Sequence, residues 1–141
     1  MDIQAKEIFG GEIQYFRLDP EYWDKIVREF AETGLRTVTT YVPWECHMVV
    51  EPSQEHPDGV YDFTGETNPR LNLMLFLEIV EKYGLNLNFR CGPFCCAELL
   101  YGGHPRFIVH DLTETFSLTN EDTPTKGYFG KSYQPSYMHP I

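Results

Sequence analysis

A chain of 141 residues has room for one ordinary domain with a real core and not for two. With 42% hydrophobic, 23% charged and 15% aromatic residues, the composition argues against disorder, and no apolar run is long enough to cross a bilayer. A net charge of −10 repels phosphate backbones, which speaks against nucleic acid as a partner.

The first residues, "MDIQAKEIFGGEIQ", lack the basic start and apolar core of a secretory leader. The four cysteines, Cys46, Cys91, Cys95 and Cys96, are therefore expected to be reduced thiols in a cytoplasmic protein. Within this stretch "EIFGGEIQYF" reads as a strand that tolerates close backbone approach at Gly10-Gly11.

Two similar units follow, about fifty residues apart in register. The first opens on Asp19-Pro20 and the second on Asn68-Pro69, each pairing an N-cap side chain with a proline that pre-sets φ. In the first, Tyr22, Trp23, Ile26, Val27, Phe30 and Ala31 recur at helical spacing, with Asp24, Lys25, Arg28, Glu29 and Glu32 opposite. In the second, Leu73, Phe76, Leu77 and Val80 form the matching stripe. Gly34-Leu35 and Gly84-Leu85 close the two helices, and a strand-like run follows each.

Strand, helix, strand, helix, strand, joined in this way, requires parallel pairing with both helices on one face. No glycine-rich phosphate loop follows the first strand, which weighs against a doubly wound nucleotide-binding sheet. The expected fold is α/β, a partial (β/α)8 barrel comprising its first three strands and two to three helices over residues 1–110. A complete barrel takes about 250 residues. Residues 111–141, rich in Thr, Asn, Gly and Pro, read as a long polar loop toward a remainder. Uncovered sheet edges in such a piece favour self-association.

Chemistry in parallel α/β folds gathers beyond the carboxyl ends of strands. Those positions are Tyr15, Phe16 and Arg17, then Tyr41, Trp44, Glu45 and His47, then Cys96, Ala97 and Glu98. Aromatics, an arginine and carboxylates at one mouth suit a polyhydroxylated ligand. Each residue also has a plainer reading. Tyr41 and Trp44 serve equally as core or rim aromatics, and Glu45 as a solvated charge. Glu98, among the small and apolar neighbours of "CCAELL", is either functional or paired with Arg90 or Arg17. Glu45 and Glu98 alone would permit a glycosidase acid and nucleophile. The cysteines show no C-x2-C pair, so no metal and no cofactor is expected.

"GGEIQYFRLDPEYWDKIVREFAETGL", "TYVPWECH", "YDFTG" and "RCGPFCCAELLYGGHPRFIV" resemble consecutive blocks of the family 35 glycoside hydrolases, the β-galactosidases, from about Phe9 to Val109. The resemblance implies a retaining β-galactosidase barrel in which Tyr41 contacts galactose and Cys96, Ala97 and Glu98 hydrogen-bond the galactosyl hydroxyls. It places the acid/base glutamate in an Asn-Glu pair on a fourth strand and the nucleophile on a seventh, neither within this chain. The expected function is the N-terminal part of that enzyme, with a β-galactoside or related saccharide as ligand and no membrane partner. The chain departs from the family at Gln14, Glu45, Met48, Leu99 and Leu100, which leaves another β-glycoside open as substrate. Two other readings remain: a non-catalytic carbohydrate-binding or interaction module, and a family 42-like barrel hydrolase.

Overall fold

The computed structural model describes residues 9–92 and 94–110, apart from the side chains of Val109 and His110; the polar segment 111–141 lies outside the described residues. The chain divides into two units, Met1–Val42 with Asp62–Cys91, and Pro43–Tyr61 with Gly92–Ile141.

The first unit is a parallel sheet covered by helices. Strands β1 (Gly10–Glu12), β2 (Thr37–Tyr41) and β5 (Asn86–Arg90) lie in the order β1-β2-β5. Glu12, Thr39 and Asn88 are register partners across all three. The expected strand at the start is shorter than its apolar pattern: after Glu12 the backbone enters a 3-10 turn at Tyr15–Arg17. Gly10 is required by close approach, because a Cβ there would stand 2.3 Å from the Thr37 carbonyl oxygen.

Helices α1 (Trp23–Glu32) and α3 (Leu73–Lys82) connect these strands. Asp19 and Asn68 do act as caps, but of short 3-10 turns at Pro20–Tyr22 and Pro69–Leu71. The cap of α3 is Asn72, whose side chain accepts the Leu75 N–H at 2.9 Å. Gly34 and Gly84 take φ of +88° and +63°, as expected where a glycine ends a helix.

Both helices bury their stripes with Val38 of β2 in one core formed by Trp23, Val27, Leu73, Phe76 and Val80. Tyr22 is the exception and stays exposed. Tyr15 stacks on Phe76 at 5.1 Å and meets Trp23 edge-on at 6.0 Å. Full burial of such side chains contributes roughly 1.5–3 kcal/mol each. Asp24 ties α1 to α3, accepting from Tyr83 Oη at 2.9 Å and from Lys82 Nζ. On β5 the cover thins: Leu87 and Phe89, partners of buried Val38 and Thr40, are 38% and 42% exposed.

The second unit is irregular. It holds α2 (Trp44–His47), an antiparallel pair of β3 (Met48–Val50) and β4 (Val60–Tyr61), and α4 (Arg106–His110). The periodicity of the sequence did not foreshadow β3, β4 or α4, all five residues or shorter.

Candidate functional site

In the first unit, Tyr41 ends β2 and is buried, and its register partner Arg90 ends β5. The Arg90 guanidinium lies over the Tyr41 ring, 4.3 Å from its centroid, and donates a hydrogen bond to Tyr41 Oη. One row below, the Asn88 amide donates to the Thr39 hydroxyl at 3.2 Å. These side chains occupy the sheet face opposite the helices, since alternate strand residues face opposite ways.

Beyond β1, Gln14 donates to the Glu12 carboxylate and accepts from Arg17. Arg17 also lies 5.4 Å from the Phe16 ring centroid. Tyr15 is not at a mouth. It is fully buried in the aromatic core, because the 3-10 turn after β1 rotates it inward.

In the second unit, Cys96, Ala97 and Glu98 form one continuous left-handed turn, with φ of 62°, 47° and 53°. The cost is about 1–2 kcal/mol per L-residue. Surrounding hydrogen bonds hold it: the Cys95 and Cys96 N–H groups both donate to the Gly102 carbonyl, at 2.8 and 3.1 Å. Leu99 N–H donates to Cys96 at 2.9 Å, and Gly102 N–H to Leu99 at 3.0 Å. The glycine pair is needed here. Gly102 and Gly103 have φ of +66° and +93°, and a Cβ on Gly102 would fall 2.2 Å from the Phe94 ring.

The turn corrects the picture of Glu98 as a carboxylate closed in by small neighbours. Its side chain is exposed, while Cys96 and Ala97 are half-buried. Three left-handed residues in a row push the third outward, which local hydrophobicity does not reveal.

Glu45 is not a loose rim charge. Its Oε2 accepts the Arg106 N–H at 3.1 Å and its Oε1 pairs with Arg106 Nε at 3.6 Å, so it anchors the start of α4. Burial pushes its carboxyl up, and Arg106 opposes that. Trp44 is half-buried and His47 fully buried. His104 is also buried, with neither ring nitrogen hydrogen-bonded among the described residues, and burial lowers its pKa to about 4. Among the described residues no group of three or more His, Cys, Asp or Glu is arranged to hold a metal. The chain's Asn-Glu dipeptide, Asn120-Glu121, lies outside the described residues.

Two polar devices escaped sequence reasoning. One is the Arg90–Tyr41 pair, which needs the parallel register to be known. The other is Asp62, whose buried carboxylate accepts N–H bonds from Thr64, Gly65 and Thr67 at 2.9, 2.7 and 2.7 Å, and the Thr67 hydroxyl at 2.6 Å. The run Asp62-Phe-Thr-Gly-Glu-Thr67 carried that signal as an Asx-turn pattern.

Comparison with known proteins gives a match to the glycosyl hydrolases family 35 over residues 1–124. An exo-beta-D-glucosaminidase of Pyrococcus horikoshii is 37% identical over 99% of this chain and 17% of its own length. Beta-galactosidase-1-like protein 2 of Homo sapiens is 39% identical over 74% of the chain and 15% of its own length. A beta-1,2-glucosyltransferase of Ignavibacterium album is 30% identical over 84% and 16%. The chain thus spans between 15% and 17% of the length of these relatives.

Proposed function

The chain belongs to glycosyl hydrolase family 35, and from that premise we propose that it supplies the first three strands of a (β/α)8 barrel and part of a pocket for terminal β-D-galactosyl residues. The observation that carries this reading is the Cys96–Ala97–Glu98 turn. Three strained L-residues in sequence, held by four hydrogen bonds and a buried glycine pair, end on an exposed Glu98. Backbone strain of this kind persists only where the surrounding structure enforces it, and it clusters at ligand-binding and active sites.

In this proposal Glu98 accepts hydrogen bonds from two adjacent ring hydroxyls. Ala97 and Cys96, being small, allow the pyranose close to the backbone, and Tyr41 offers its hydroxyl to a sugar oxygen. Retaining hydrolysis needs two further carboxylates, an acid/base and a nucleophile about 5–5.5 Å apart. Glu45 is a poor candidate, since its two oxygens hold Arg106. We assign both roles to parts of the full enzyme outside this chain. The parallel sheet, with strands in chain order and both helices on one face, supports the barrel. We place the protein in a reducing compartment such as the cytoplasm, where Cys46, Cys91, Cys95 and Cys96 stay as thiols. The exposed Leu87 and Phe89 support self-association of the isolated chain.

A second reading replaces galactosyl by glucosaminyl. It is favoured by the glucosaminidase relative, which aligns over 99% of the chain.

The test is hydrolysis of chromogenic β-galactoside and β-glucosaminide by the isolated chain. Turnover no greater than background is the expected result. Clear turnover abolished by Glu98→Gln or by Glu121→Gln would place catalysis within the chain and overturn the assignment.

A further inference from the structure

Arg90 and Tyr41 are partners across the β2–β5 ladder, each the last residue of its strand. Their contact is double: the guanidinium covers the ring face at 4.3 Å, and Nη1 donates to Oη. A guanidinium has five donors and no acceptor, so the phenol oxygen must accept in this pair. Its own O–H bond is then directed away from Arg90. Arg90 thus constrains both the ring plane and the direction of the hydroxyl.

The choice of partner is informative. The chain has 21 acidic residues and 11 basic ones, yet no carboxylate lies within ion-pair distance of Arg90 among the described residues. An exposed arginine in so acidic a chain is held against a phenol instead. Lysine could not reproduce this, because stacking and the forked donor geometry belong to the planar guanidinium.

Resting on the reading of Tyr41 as a sugar contact, we propose that Arg90 is a positioning residue, which fixes the Tyr41 ring and aims its hydroxyl proton at a saccharide oxygen without touching the sugar. Arg90 thereby sets the geometry of recognition, and Tyr41 makes the bond. Its removal frees the Tyr41 rotamer and weakens an oriented hydrogen bond.

The experiment titrates the full chain with methyl β-D-galactoside in the parent, Arg90→Ala, Tyr41→Phe and the double variant, with circular dichroism checking the fold. Arg90→Ala is expected to weaken binding about tenfold. The double variant should bind no more weakly than Tyr41→Phe, because Arg90 acts through the hydroxyl that Tyr41→Phe removes. Millimolar guanidinium should restore part of the affinity of Arg90→Ala and none of that of Tyr41→Phe, a rescue that a purely structural role would not show. Additive losses would mean that Arg90 touches the sugar, and undiminished binding by Arg90→Ala beside a loss in Tyr41→Phe would mean that it positions nothing; either overturns the inference. If the parent binds neither this galactoside nor the matching glucosaminide, the sugar reading fails separately. Side-chain couplings of Tyr41 then decide the positioning claim, which stands if a single rotamer becomes averaged in Arg90→Ala and falls if it does not.

Discussion

In the sheet unit every described left-handed residue is a glycine: Gly34, Gly65 and Gly84. In the other unit four are not: Cys96, Ala97, Glu98 and Tyr101. The first unit relaxes its backbone and gains stability from buried aromatics, whereas the second tolerates strain around the residues proposed to meet the ligand. Relaxed and strained backbone thus belong to different stretches of chain, and the difference can be attacked from either side.

The largest effect should come from Trp23→Ala. Trp23 is fully buried and meets Tyr15 and Phe76 edge-on. A loss of about 3–5 kcal/mol in urea unfolding is expected. A smaller loss would mean that the aromatic cluster is not the centre of that unit.

Next comes Asp62→Ala, which leaves the N–H groups of Thr64, Gly65 and Thr67 without their acceptor and should cost about 3 kcal/mol in the same assay. Acid separates the two units further. Burial raises the Asp62 carboxyl, but hydrogen bonds from Thr67, Gly65 and Thr64 outweigh it and hold the group well below its ordinary 3.8. With the folded value depressed, its contribution is present above that ordinary value and fades as pH falls below it. For His104 the folded value, about 4, lies below the ordinary 6.5, so stability is complete above 6.5 and declines toward 4. The loop unit should therefore loosen first on acidification, followed by amide NMR. His104→Leu should flatten the higher-pH step, and Asp62→Asn the lower.

Ala97→Gly tests the strain itself. Relief of a left-handed L-residue should outweigh the added freedom of the unfolded chain and stabilise by about 1 kcal/mol. Destabilisation would show that the turn is not strained. The smallest effect belongs to Thr40→Val in the sheet unit. The Thr40 hydroxyl is buried and unpartnered among the described residues, so its replacement by a methyl should raise stability by about 0.5–1 kcal/mol in thermal unfolding.

This contrast also explains what could be read from the amino acids. The strand–helix order, the stripes of Trp23, Val27, Phe76 and Val80, and the glycines ending each helix all follow from periodicity and local φ preferences, which are properties of a few neighbouring residues. The helix starts were legible as turns, with Asn72 overtaking Asn68 as the cap of α3. Tyr15 was misplaced because one turn of 3-10 backbone reverses which residue faces the core. Glu98 could be named from its block, but its exposure could not, since left-handed backbone on Cys, Ala and Glu runs against every local preference. The bonds of Arg90 and of Glu45 span 49 and 61 positions of sequence, and no local pattern encodes either.

The most direct measurement of the central claim is amide NMR of the chain titrated with methyl β-D-galactoside and its glucosaminide counterpart. Saturable shifts centred on Cys96, Ala97, Glu98 and Tyr41 for one of the two, abolished by Glu98→Gln with the fold intact, are what the account requires. Saturable shifts centred elsewhere, or an affinity indifferent to Glu98→Gln, would contradict it.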